Sequence, residues 1–173
     1  AALERAMALD DSLPEVHMAL ANRQTWVDWE WAAAEASFRR ALDLNPNHAE
    51  AHAFYAHFLY IRHRPEEGAA AMARALELDP LNDLIQQFYG MTLRWTGRFE
   101  EGMAHAQRVL QTNPNSPSAW NALTENTHQL GRFEESLSAQ KRAIGARSAA
   151  AEEELARLDQ GYAEGGYTGA MGQ

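Results

Sequence analysis

One phrase recurs at a fixed interval along this chain. Ala41-Leu-Asp-Leu-Asn-Pro46 returns as Ala75-Leu-Glu-Leu-Asp-Pro80 after 34 residues, and as Val109-Leu-Gln-Thr-Asn-Pro114 after another 34. A repeat of this size is one helix–turn–helix unit. It cannot bury its own apolar face and is stable only when stacked on neighbours. Ala and Leu dominate the 46% of residues that are hydrophobic, and β-branched residues are scarce, which favours helix. The period and the composition together predict an all-α solenoid of antiparallel helix pairs.

The period places four full repeats at residues 14–48, 49–82, 83–116 and 117–150, with partial repeats at 1–13 and 151–173, all in one array. The chain begins inside a helical pattern and ends in an unfinished one, so it reads as a piece of a longer protein. The turns inside repeats two to four are His63-Arg64-Pro65-Glu66-Glu67, Gly97-Arg98-Phe99-Glu100-Glu101 and Gly131-Arg132-Phe133-Glu134-Glu135. Gly at the end of the first helix, helix A, can adopt the left-handed cap conformation. The paired acids then fall in the first turn of helix B, where the helix dipole favours negative charge. His63 replaces Gly and should make a less comfortable cap. Repeat one, with helices expected at 15–27 and 32–44, is one residue longer than the others. The extra residue is expected near its turn, Asp28-Trp29-Glu30-Trp31. In the last repeat, residues 151–164 form another helix A and Gly165-Gly166-Tyr167 its turn. The glycines at 161, 165, 166, 169 and 172 suggest a poorly ordered end.

In these residues the chain resembles the tetratricopeptide-repeat family. The family pattern has an aromatic early in helix A, Leu and a small residue further on, Gly at the turn, Ala in helix B, and Pro at the end. Repeat four supplies Trp120, Leu123, Gly131, Phe133 and Ala143; repeat three, Tyr89-Gly90, Gly97, Phe99 and Pro114; repeat two, Tyr55-Ala56, Ala75 and Pro80; repeat one, Leu20-Ala21, Phe38, Ala41 and Pro46. The chain departs from it at Thr124, at Gly68, Gly102 and Ser136 (usually Ala), and at Asp11 and Ser148 (usually Pro). The resemblance implies a right-handed superhelical solenoid with a concave face lined by the A helices. The Asp-Trp-Glu-Trp phrase and the Ala-Glu-Ala-Ser-Phe-Arg-Arg-Ala-Leu that follows are similar to arrays in bacterial multidomain signalling or regulatory proteins.

Inward positions recur at about i, i+4 and i+7 or i+8 along helix A. They give the candidate partner-binding groove: Met18, Asn22 and Trp26 in repeat one, with Thr25 beside them; His57 and Tyr60 in repeat two, with Ala53 and Ile61; Gln87, Met91, Arg94 and Trp95 in repeat three; Asn121, Glu125 and His128 in repeat four, with Gln129. Met, Trp and Tyr offer adaptable apolar contact, so the expected ligand is an extended peptide or a partner helix. Trp26, Ile61 and Trp95 have a second reading, packing against the next repeat. One subgroup of the family grips a C-terminal carboxylate with Lys, Asn and Arg on successive A helices. Only Asn22 matches that set, which argues against this activity. Trp29 and Trp31 read either as a contact site or as a staple over the turn.

The remaining chemistry is sparse. A net charge of −9 makes nucleic acid an unsuitable partner. Cysteine is absent, so no disulfide or Cys-based zinc site is expected. No apolar run reaches membrane-span length. These features suit a cytoplasmic protein. His48 and His52 are four apart, a ligand spacing, but no Glu follows His48 as in a zinc-protease helix; no metal and no cofactor are expected. The Glu pairs repeat at a dipole-favoured phase and read as structure. No nucleophile elbow or phosphate-cradling loop is present, so the chain is not expected to be an enzyme. The expected role is protein–protein interaction. The alternative is a structural spacer or a scaffold that self-associates through exposed array ends, forming homo-oligomers.

Overall fold

The structure, a computed structural model, describes residues 2–147 and 151–171. They form helices α1 (Ala2–Leu9), α2 (Pro14–Arg23), α3 (Trp31–Leu44), α4 (Ala49–Ile61), α5 (Pro65–Leu78), α6 (Asp83–Trp95), α7 (Phe99–Thr112), α8 (Pro117–Gln129), α9 (Phe133–Arg147) and α10 (Ala151–Met171). A π-helical turn, Gln24–Asp28, follows α2. No strand occurs among the described residues. The chain divides into two compact units, one ending at Thr92 and the other starting at Leu93, within α6.

Two local devices recur through the repeats. At the A-to-B turn the cap residue is left-handed every time: Trp29 and His63 at φ 58°, Gly97 at 72° and Gly131 at 71°. The backbone N–H groups of Arg64, Arg98 and Arg132 then donate back to the carbonyls of Leu59, Leu93 and Thr127 at 2.8–2.9 Å, which satisfies the helix end. His63 therefore occupies the strained conformation that its replacement of glycine implies. The second device joins one repeat to the next. The ring N–H of His52, the amide of Gln86 and the indole of Trp120 donate to the carbonyls of Pro46, Pro80 and Pro114 at 2.9, 2.6 and 2.8 Å. His17 does the same with the Asp11 carbonyl at 2.7 Å. A carbonyl only accepts, so both histidines carry their proton on Nε2. His17 and His52 share the Trp120 slot because each can reach six residues back with an N–H.

Repeat one absorbs its extra residue as the π turn. Ala21 is buried like Ala56, 35 positions later, whereas Thr25 is buried like Leu59, 34 positions later. The insertion therefore lies between Asn22 and Thr25, inside helix A and ahead of the turn. Helix A is α-helical only to Arg23. The closing hydrogen bond, from Glu30 N–H to the Gln24 carbonyl at 2.9 Å, spans six residues where later repeats span five.

The core of the first unit is built from small residues opposite large ones. Ala21, Ala34, Phe38, Phe58 and Leu59 form one cluster, and Ala53, Ala56, Tyr60, Met72, Ala75 and Ile85 another. In the second unit Leu137, Ile144, Ala151, Leu158 and Ala170 pack together, with Leu155 and Tyr167 against them. The helix starting at Ala151 turns at Gly165 and Gly166, where the dihedrals leave the helical region. The glycines there make a tight hairpin: a Cβ on Gly169 would sit 2.2 Å from the Gly161 carbonyl oxygen. Residues 148–150, 172 and 173, and with them Ser148 and Gly172, lie outside the described residues.

Candidate functional site

In the first unit an aromatic contact runs across three successive A helices. Trp26 meets the His57 ring edge-on at 5.2 Å. His57 meets Phe88 edge-on at 4.7 Å, and Phe88 meets Phe54 at 5.1 Å. Each pair has the offset geometry that aromatic quadrupoles favour. Trp26 is 48% exposed. Met18, Asn22 and Met91 are half-buried and Gln87 is exposed. Burial lowers the His57 pKa from 6.5 to about 4, so the imidazole is neutral near pH 7 and acts as an apolar-edged ring with polar tips. The Asn22 carbonyl oxygen is enclosed with no hydrogen-bond partner among the described residues.

Three positions expected in the groove of this unit belong to the core. Thr25 is 1% exposed and its hydroxyl donates to the Ala21 carbonyl at 2.7 Å, because the π turn rotates it into the interior. Tyr60 is 9% exposed and sits in the core cluster. The absence of a side chain at Gly68 makes this possible, since a Cβ there would stand 3.0 Å from the Tyr60 ring. Ala53 is likewise buried. Phe88 is the residue that the groove positions missed. Its signal in the sequence was an aromatic 34 residues after Phe54.

The second unit gathers the later positions. Arg94 forms an ion pair with Glu125. These two, with Thr124, His128 and Gln129, line an open pocket of about 340 Å³. Trp95 is exposed and Asn121 half-buried. Tyr167, expected only as a turn residue, closes one side of His128. Its hydroxyl is 2.8 Å from His128 Nδ1 and 2.9 Å from Ser136 Oγ, and its ring stacks on His128 at 5.6 Å. Ser136 also donates to the Thr124 carbonyl at 2.9 Å, so the serine where Ala is usual has two partners that alanine would lack.

Trp29 and Trp31 have separate roles. Trp31 packs against Phe58 at 6.4 Å and carries the Arg62 guanidinium over its ring at 5.4 Å. Trp29 leans edge-on against Trp31 at 5.5 Å and is itself 66% exposed. His48 and His52 serve the backbone: His48 Nδ1 accepts from the Ala51 N–H at 3.3 Å, capping α4, and His52 holds the Pro46 carbonyl. Among the described residues no three His, Cys, Asp or Glu side chains come together as metal ligands, and no helix is long and apolar enough to cross a membrane.

No protein-family model matches the sequence, and no curated protein matches it. Solved structures do. The chain is similar to PilW, described as a widely conserved type IV pilus biogenesis factor, at 24% identity and a TM-score of 0.76, over 98% of this chain and 78% of that one. It is similar to pilF of Pseudomonas aeruginosa at 20% identity and 0.72, over 98% and 77%. It is also similar to YrrB, described as a TPR protein with an unusual peptide-binding site, at 18% identity and 0.66, over 94% and 79%. At these identities the likeness concerns the backbone, and it agrees with the 34-residue phrase, the repeated left-handed caps and the Pro-carbonyl bonds: the chain has the tetratricopeptide-repeat fold.

Proposed function

We propose that the chain is a non-catalytic protein-interaction module whose A-helix surface takes an extended peptide or a helix of a partner protein. The observation that carries this is the continuous contact from Trp26 through His57 to Phe88, with half-buried Met18 in α2 and Met91 in α6. A surface that joins three A helices by ring contacts is preorganised, and Met and Trp adapt to apolar side chains. The Arg94–Glu125 pocket supplies a polar subsite of the same kind in the second unit. The peptide-binding site in the description of YrrB is a precedent on this backbone, not evidence about this chain's ligand.

The test compares three proteins as bait in the native lysate: wild type, Trp26→Ala/Met91→Ala, and Arg94→Ala/Glu125→Ala. Circular dichroism first establishes that the variants are folded. A partner held by wild type and released by a folded double variant supports the reading and assigns the unit. Equal retention by all three refutes the A-helix surface as the site. No specific retention favours a spacer or scaffold.

A further inference from the structure

Three departures from the repeat pattern meet at one point in the second unit. Ser136 stands where the same phase has Gly68 and Gly102, Tyr167 where it has Phe99 and Phe133, and His128 where the preceding repeat has Arg94. Together they form a chain of hydrogen bonds. His128 Nδ1 is 2.8 Å from the Tyr167 hydroxyl, that hydroxyl is 2.9 Å from Ser136 Oγ, and Ser136 Oγ is 2.9 Å from the Thr124 carbonyl oxygen.

The protons along this chain are fixed from its far end. A carbonyl only accepts, so the one Ser136 proton goes to Thr124. Ser136 Oγ therefore accepts from Tyr167, whose one proton is engaged in turn. The Tyr167 oxygen is left to accept, and His128 Nδ1 donates to it. His128 thus carries a ring proton on Nδ1, the reverse of His17 and His52, and in the neutral ring Nε2 presents a lone pair. The ring is held in place by Tyr167, stacked on it at 5.6 Å, and by Phe133 at 5.8 Å. Among the described residues Nε2 has no hydrogen-bond partner.

His128 lines the open pocket with Arg94, Thr124, Glu125 and Gln129, so a polar ligand there meets this imidazole as an acceptor. Glu125 is a second acceptor. Arg94, paired with it, has further N–H groups to donate. The charges of the pair cancel. An entering cation would face Arg94, and an entering carboxylate would face Glu125 and the Nε2 lone pair. A primary amide brings two N–H donors and one carbonyl acceptor without charge, which matches two acceptors and one donor.

We propose that Tyr167 and Ser136 are positioning residues that lock His128 as an acceptor, and that the pocket of Arg94, Glu125 and His128 takes the side-chain amide of an Asn or Gln in a partner segment. This rests on the reading of the A-helix surface as a peptide site and specifies what its second unit selects.

Two measurements test it, the first without a ligand. Ring-nitrogen NMR of the full chain is recorded where the imidazoles are neutral, with His128→Gln to assign the signals. His128 should be protonated on Nδ1, and His17 and His52 on Nε2. Ser136→Ala frees the Tyr167 proton to donate to Nδ1, so the His128 pattern should reverse to Nε2–H. A tether that only holds the tail would not reverse it. Tyr167→Phe removes the lock and should leave a mixture of the two forms. A wild-type His128 protonated on Nε2, or a pattern unchanged in both variants, overturns the lock.

For the second, a phage-displayed library of random dodecapeptides is depleted on Arg94→Ala/Glu125→Ala and selected on the wild type. The expected result is Asn or Gln at one fixed position. Replacing that residue in the synthetic peptide by Asp, Glu or Lys should weaken binding about tenfold or more, and folded Ser136→Ala should weaken it about two- to tenfold, the range of one hydrogen bond. Acidic, basic or purely apolar consensus peptides, no pocket-dependent peptide, or equal binding by Ser136→Ala overturn the amide site. A lysate partner released by Arg94→Ala/Glu125→Ala but not by Ser136→Ala sinks this inference alone. Release by neither removes the surface reading for this unit as well.

Discussion

Gly102 is the position where substituting the residue usual in this fold should do harm. It lies in α7, 1% exposed Asn126 lies in α8, and a Cβ on Gly102 would stand 2.6 Å from Asn126 Oδ1 and 2.9 Å from its Cγ and Nδ2. Asn126 cannot yield cheaply. Its Nδ2 donates to the Ala122 carbonyl at 2.7 Å, and its Oδ1 is already enclosed without a partner. For Gly102→Ala, removing glycine from a helix gains up to about 1 kcal/mol. Against this, an overpacked core costs about 1–3 kcal/mol, and turning Asn126 away leaves its buried amide unmade at about 1–3 kcal/mol more. The net expectation is destabilisation by about 1–5 kcal/mol. In an Asn126→Ala background the obstruction is gone, so the same Gly102→Ala step should stabilise by up to about 1 kcal/mol. The assay is urea unfolding followed by circular dichroism for the four proteins of the cycle. A change of sign between backgrounds is the expected result. Stabilisation by Gly102→Ala in the wild type, or a coupling below about 0.5 kcal/mol, would refute the packing argument.

Three further outcomes are expected. Trp120→Phe keeps the ring but removes the N–H that holds the Pro114 carbonyl; it should lower stability by about 0.5–1.5 kcal/mol, read by thermal unfolding. His63→Gly relieves a left-handed side-chain residue at φ 58° that is exposed; it should raise stability by up to about 1 kcal/mol, and no gain would mean that the cap is unstrained. His57 has a folded pKa of about 4, below its ordinary 6.5, so the unfolded chain binds the extra proton across that window. Stability should be full above pH 6.5 and fall by about 1–2 kcal/mol towards pH 4, after allowance for solvent at a half-buried ring. In His57→Gln this part of the pH profile should flatten, measured by urea midpoints from pH 7.5 to 4.

Much of the fold is legible in the sequence because it obeys local rules at a fixed period. The Pro-terminated phrase, the left-handed cap at His63, Gly97 and Gly131, and the acids in the first turn of helix B each follow from backbone geometry within a few residues. That much determines helix pairs, their order and the phase of the small core residues. What only the tertiary structure decided begins where a neighbour, not the chain itself, sets the answer. The length of repeat one announced an extra residue, but burial of Thr25 places it before the turn. A one-residue insertion rotates a helix by about 100°, so it exchanges which side chains face the interior. Tyr60 is buried because Gly68, eight residues on and in another helix, leaves room for its ring. His57 becomes the middle of an aromatic contact because Trp26 and Phe88, 31 residues either side, reach it. Trp29 and Trp31 look alike in sequence, yet Phe58 and Arg62 claim one and leave the other in solvent. Periodicity states which residues share a phase. Only packing states which of them has a partner waiting, because burial depends on the volume left by residues far away in the chain.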